Sequence, residues 1–245
     1  MRVSTLIFLI GTMVSVLWFA SACNTKSKAM PYAELTEEEK ARIALDAKDF
    51  PTAISLYKSL VENKPTDYEN YRFLSAAYAE LGGFDILKAV AGTIANAGKG
   101  GSSSLLDSIS KFLPSDPTDE QIAALKSATE VLTSLPVEQR SYEHPEVPTS
   151  SSGAQQLEFY QAAYSLIYIN KFTKVTDAGS LDPSKLESMT EEDVNNILDN
   201  FGAIAATAGG GAIAEGADAL IRQLESAPGE TRRDKLLNYL STHSN

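Results

Sequence analysis

From Glu34 to the carboxyl end, apolar side chains recur every three or four positions, and no stretch alternates β-branched residues between turn signals. A 3.6-residue period lays one stripe of a helix against a core, whereas a half-buried strand needs a period of two. This feature restricts the chain to an all-α fold. The punctuation agrees with it. Pro65, Pro114 and Pro136 stop helical runs, Gly82-Gly83 breaks another, and Thr36 with Glu39 three residues on forms a capping box that opens one.

The amino end has a different pattern. Arg2 supplies a positive start, Val3 to Phe19 carry no charge and are mostly apolar, and Ala20-Ser21-Ala22 are small residues leading directly to Cys23. A cationic end, an apolar stretch and a small-residue cleavage point make a secretory signal. The competing possibility is an uncleaved membrane anchor, since the run approaches the roughly 20 residues that span a bilayer. Cys23 is the only cysteine, so no internal disulfide is open to it. These residues resemble the bacterial lipobox, although Ala20 stands where that motif most often has Leu. The resemblance implies cleavage before Cys23, a diacylglyceryl thioether on its sulfur, and a lipid anchor in the cell envelope. Asn24 in place of Asp implies, by the same resemblance, sorting to the outer membrane, facing the periplasm.

Loss of residues 1–22 removes Arg2 and no acid, so 32 acidic side chains outweigh the remaining bases and the net charge moves from −11 to about −12. Phosphate backbones and anionic lipid surfaces need clustered Lys and Arg, so nucleic acid is excluded and the membrane contact falls to the lipid. Two or three acyl chains hold a protein stably, at about 0.8 kcal/mol per buried methylene.

Residues 23–33 are polar and read as a tether. Residues 34–97 carry the clearest organisation. A helix to about Ala47 is followed by one with Ala53, Leu56, Tyr57, Leu60 and Val61 on one stripe. Tyr71, Leu74 and Tyr78 then mark a third, and Phe84, Leu87 and Ala91 begin a fourth. Phe50 and Phe84 stand 34 residues apart, as do Ala41 and Ser75. In these residues the chain is similar to the tetratricopeptide repeat family, whose units of 34 residues pair small positions where helices touch. A first unit, Glu34 to Asp67, has Ala41, Phe50, Ala53, Tyr57, Leu60 and Pro65 in the family's places, with Glu37, Lys40 and Lys48 replacing the usual aromatic, Leu and Gly. A second, from Tyr68, has Tyr71, Leu74, Ser75, Tyr78, Gly82 and Phe84, then departs at Leu87 and Lys99. An ordinary helical bundle with chance spacing is the alternative. The resemblance implies a concave groove presenting Glu69, Arg72, Ala76, Ala79 and Glu80, with Arg72 available to a carboxylate of a bound segment.

Residues 98–245 are expected to continue as an irregular helical bundle that packs on the repeats, because two units fall short of the three a solenoid usually needs. Gly98 to Ser104 reads as a loop, Leu105 to Leu113 as a short helix, and Asp116-Pro117-Thr118-Asp119 as a strong helix start. Residues 137–153 read as loop. Gln155 to about Val175 is apolar on nearly all sides, which predicts a central buried helix rather than a membrane span, since polar residues interrupt it. Thr190 caps a helix through Ile204, and two more follow at about Gly211 to Glu225 and Thr231 to Leu240.

Catalytic groups are sparse. His144 lies in a proline-flanked loop, His243 near the end, and Cys23 is committed to lipid, so neither a metal site nor a nucleophile with its base is expected. The glycine runs 92–100 and 209–211 mimic a phosphate loop and a dinucleotide fingerprint by letter only, lacking the Ser or Thr for magnesium in one and a preceding strand in the other. Acid pairs such as Glu191-Glu192-Asp193 complement helix dipoles. The expectation is therefore a non-enzymatic, cofactor-free, metal-free lipoprotein scaffold that holds another envelope protein. The alternative is a ligand-binding accessory of a periplasmic solute transport system, with Tyr160, Tyr164 and Tyr168 lining its cavity.

Overall fold

The computed structural model describes residues 32–89, 109, 111–144, 146, 147, 150–173, 183–207 and 211–243. Every regular element among them is a helix: α1 (Glu37–Asp46), α2 (Phe50–Asn63), α3 (Tyr68–Leu81), α4 (Asp119–Thr133), α5 (Ser150–Phe172), α6 (Pro183–Glu187), α7 (Glu191–Ala205), α8 (Ala212–Ser226) and α9 (Arg232–His243), with 3-10 turns at Tyr32–Glu34 and Val137–Gln139. The fold is all-α. Cys23, residues 98–104, the glycine run at 92–100 and residues 209 and 210 lie outside the described residues. Of the helix expected at Leu105–Leu113, Ile109 is helical and buried and the following Lys111 and Phe112 form a turn.

Side-chain caps set several of the starts. Asp49 accepts from the Thr52 amide at 3.3 Å ahead of α2. Thr118 and Gln121 close a reciprocal capping box on α4 at 3.2 and 3.0 Å, and Thr190 with Asp193 does the same for α7. Each such cap stabilises its helix by about 1 kcal/mol.

The helices pack largely in chain order: α1 on α2, α2 on α3, α3 on α4, α4 on α5, α5 on α7, and α7 on α8, with α9 against α7 and α8. Two apolar clusters result. One joins Ala41 and Ala44 of α1, Ala53, Tyr57 and Leu60 of α2, and Leu74 and Ala77 of α3, with Val131 of α4 packed against it. The other surrounds α5, where Leu157, Glu158, Phe159 and Tyr160 are buried in succession, as a helix enclosed on all sides requires. No helix of the described residues is long and apolar enough to cross a membrane.

The ends of α1 and α3 turn identically. At the first, the Lys48 amide donates to Leu45 and the Asp49 amide to Ala44; at the second, Gly83 donates to Glu80 and Phe84 to Ala79. This is the Schellman pattern, with its left-handed residue at Lys48 (φ 60°) and Gly83 (φ 84°). The backbone geometry thus recurs 35 residues on, one more than the spacing of Phe50 and Phe84. Lys48, which replaces the glycine expected by resemblance, holds a conformation that disfavours a Cβ by about 1 kcal/mol.

Two expectations need correcting. Of Phe84, Leu87 and Ala91, expected to begin a fourth helix, Phe84 lies ahead of the helical residues 86–89, Leu87 is helical but 78 % exposed, and Ala91 lies outside the described residues. The small-residue edge of α3 receives α4 as well. Ser75 Oγ donates to the Ala128 carbonyl at 2.7 Å, and a Cβ on Gly82 would stand 2.8 Å from Leu125 Cγ. In addition, α5 begins at Ser150, inside the stretch read as loop. Packing overrides the weak helix propensity of Ser-Ser-Ser-Gly there: Ser150 is buried and donates to the His144 carbonyl at 2.6 Å, and the Gly153 backbone lies directly against Gln139.

Candidate binding groove

Two clefts flank α3. The first, of about 270 Å³, opens between α1 and α3 and is lined by Glu38, Glu39, Arg42, Asp67, Glu69 and Phe73 among others. The second, of about 330 Å³, lies between α3, the helical residues Ile86 and Leu87 and the amino-terminal half of α5. Glu69 and Phe73 line both, so the two clefts adjoin at these side chains of α3.

Its floor is rigid. Phe73 stacks on Tyr57 with ring centroids 5.5 Å apart and planes 19° from parallel. The Arg42 guanidinium covers Phe73 at 4.9 Å from the ring centre and lies 3.9 Å from Glu69 Oε1. Burial raises the pKa of the Tyr57 hydroxyl, with Arg42 opposing the shift.

The residues expected to present a groove divide. Glu69, Arg72 and Ala76 line the second cleft. Arg72, however, is engaged by α5: its Nε donates to Gln156 Oε1 at 3.2 Å, and Gln156 Nε2 returns a bond to the Arg72 carbonyl at 3.2 Å. Ala79 is 1 % exposed inside the main core and offers a partner nothing, which corrects its assignment to the groove. Glu80 is half-buried, and desolvation, followed by the charge of Asp85, raises its pKa.

Sequence reasoning overlooked Glu38, Arg42, Asn70 and Phe73. Glu38 and Arg42 stand 34 residues before Arg72 and Ala76, so carrying the groove positions back one period would have found them. Asn70 and Phe73 give no such signal. Both line the first cleft.

The tyrosines expected to line a cavity are instead packed. Tyr160 is 0 % exposed, meets Phe84 edge-on at 6.1 Å, and accepts from Gln156 Nε2 at 3.1 Å. Tyr164 meets Tyr168 edge-on at 5.8 Å, and Tyr168 donates to Asp193 Oδ1 at 2.9 Å. None of the three lines either cleft beside α3 or the one between α7, α8 and α9. A third cleft, of about 810 Å³, lies between α7, α8 and α9, with Leu198, Gly202, Ile221 and Leu224 as its apolar wall and Arg232 and Lys235 among its polar residues. A Cβ at Gly202 would meet nothing within 4 Å, so this glycine contributes to the open space.

Among the described residues, no group of three His, Cys, Asp or Glu is placed to hold a metal. His144 Nδ1 lies 3.0 Å from Glu146 Oε1 on the loop before α5, and α9 extends to His243, past the end expected for it. The Gly211 run is preceded by α7 rather than a strand. No protein-family model, curated protein or solved structure matches the chain.

One buried acid lies apart from the groove. Glu158 on α5 is 2 % exposed, accepts from the Tyr142 hydroxyl at 3.1 Å through Oε2, and has no partner at Oε1. Desolvation raises its pKa, with the Tyr142 bond opposing. A raised folded-state pKa means the stabilising contribution is full below the ordinary glutamate value and is lost as pH climbs through the raised one. Glu158→Gln is therefore expected to raise the unfolding temperature by about 2–4 °C near pH 7.5, for about 1 kcal/mol, with the gain shrinking toward pH 4. Thermal melts across that range check it; a gain independent of pH would contradict it.

Proposed function

We propose that the chain is a lipid-anchored bacterial envelope protein, fixed through Cys23 and working as a non-enzymatic scaffold that holds another envelope protein on the face of α1 and α3. The observation that supports this reading most is the open depression over Glu38, Arg42, Glu69 and Phe73, on hairpins whose two helix ends repeat one hydrogen-bond pattern. Recurring helical pairs present such faces to extended partners. The tetratricopeptide-like organisation, the outer-membrane location facing the periplasm and the acyl anchor belong to the same proposal. Packed rings at Tyr160, Tyr164 and Tyr168 weigh against a ligand cavity at that helix.

A second reading keeps one observation of its own. The 810 Å³ cleft between α7, α8 and α9 is within the size range of small-molecule sites, and an accessory of a solute transporter would use such a space. Affinity capture of the full chain from cross-linked envelopes separates the two. The scaffold reading expects one or more specific envelope proteins, reduced at least tenfold by Arg42→Ala with Phe73→Ala. Recovery undiminished by that pair, or no enrichment above an unrelated lipoprotein, overturns it.

A further inference from the structure

The cleft between α7, α8 and α9 joins two unlike kinds of lining. Leu198 of α7 with Ile221 and Leu224 of α8 supply apolar surface, and the space of about 810 Å³ reaches Gly202, where a Cβ would meet nothing within 4 Å. Asp199, Glu225, Arg232 and Lys235 supply charge, two acids and two bases drawn from three helices.

These charges scarcely neutralise one another. Arg232 Nη1 stands 3.7 Å from Asp199 Oδ1 and 3.4 Å from Asn195 Oδ1. The Arg232 and Asp199 side chains are 60 % and 74 % exposed, and an ion pair so long and so wet contributes little. Lys235 Nζ donates to the backbone carbonyl of Glu225 at 2.9 Å, a bond that leaves the Glu225 carboxylate unused. Among the described residues neither Lys235 nor that carboxylate forms an ion pair.

A ligand seated on the apolar surface takes water from both signs, and a charge stripped of water without a partner is costly. A pure anion would serve Arg232 and Lys235 while stranding the acids. A hydrophobic amine would do the reverse, and an uncharged molecule would strand all four. A zwitterion with an apolar body meets every group. The volume lies in the upper part of the range for small-molecule sites, which suits a short peptide better than a free amino acid.

We propose that this cleft binds a short apolar peptide with free ends, its carboxylate on Arg232 and Lys235, its ammonium on Asp199 and Glu225, and its side chains on Leu198, Ile221 and Leu224. The proposal rests on the ligand-binding reading of the cleft and names the class of solute it takes.

The test presents the full chain, in phosphatidylcholine nanodiscs, with a leucine tripeptide carrying a diazirine on its middle side chain; photolysis and peptide mapping locate the label. The label should fall on α7, α8 and α9, and acetylating the amino end or amidating the carboxyl end should each reduce it about fivefold. Arg232→Gln with Lys235→Gln should reduce it about tenfold. Gly202→Leu fills the open space on a helix that gains propensity, so it should also lower labelling about tenfold, with an unfolding temperature no lower than native. Unchanged labelling in either variant, or equal labelling by the doubly capped peptide, overturns the proposal, and the last result would keep the cleft as a small-molecule site of another class. Absence of label from α7, α8 and α9 with both the free and the capped peptide overturns the proposal together with the ligand-binding reading.

Discussion

Gly153→Ala is expected to destabilise the protein by about 3 kcal/mol and lower its unfolding temperature by about 8 °C, although glycine to alanine inside a helix usually stabilises by about 1 kcal/mol. The sign inverts because of one close approach. A Cβ at Gly153 would overlap the Gln139 carbonyl oxygen, a backbone atom on the 3-10 turn that packs on α5. No side-chain rotation relieves that clash. Either α5 or the turn must shift, and the turn is tied down by Arg140 Nε, which donates to the Leu135 carbonyl at 2.9 Å. Gly202→Ala on α7, where nothing lies within 4 Å, is the control that should behave as an ordinary helical glycine. Equal melting of Gly153→Ala and the native chain would show that the turn does not seat where described.

Tyr160→Ala is expected to cost about 4 kcal/mol, while Tyr160→Phe costs about 1 kcal/mol. The ring is wholly buried, meets Phe84 edge-on, and its hydroxyl is bonded to Gln156, which also holds Arg72. Truncation leaves a void in the core beside Phe84, whereas the phenylalanine keeps the packing and loses one bond. Denaturant titration measures both. A Tyr160→Ala protein as stable as the native one would mean that the ring faces open space, and the transporter-accessory reading would gain.

Much of the fold was legible because its signals are local. Thr190 followed by Asp193, and Asp116-Pro117-Thr118-Asp119, announce helix starts within one turn, and α7 and α4 begin where they say. The succession of apolar residues from Leu157 to Phe172 identified the buried central helix for the same reason. What was not legible depends on distant partners. Ser150–Gly153 read as loop because Ser and Gly are poor helix formers, and only contact with Gln139 and His144 makes them helical. No periodicity announces that α4 seats on the edge of α3, since Ser75, Gly82 and Leu125 are far apart in the chain. In the groove, Glu69, Arg72 and Ala76 followed from the resemblance to the repeat family, but Ala79 was lost to the core and nothing in the sequence pointed to Asn70.

The scaffold reading requires that the helical body work from a membrane surface to which no described helix anchors it. The attachment proposed is through the sulfur of Cys23. Intact-mass measurement on the protein extracted from envelopes tests this most directly. The account predicts a chain beginning at Cys23, heavier than its amino acids by a diacylglyceryl group and a further acyl chain; a chain retaining Met1, or one carrying Cys23 as an unmodified thiol, would contradict it.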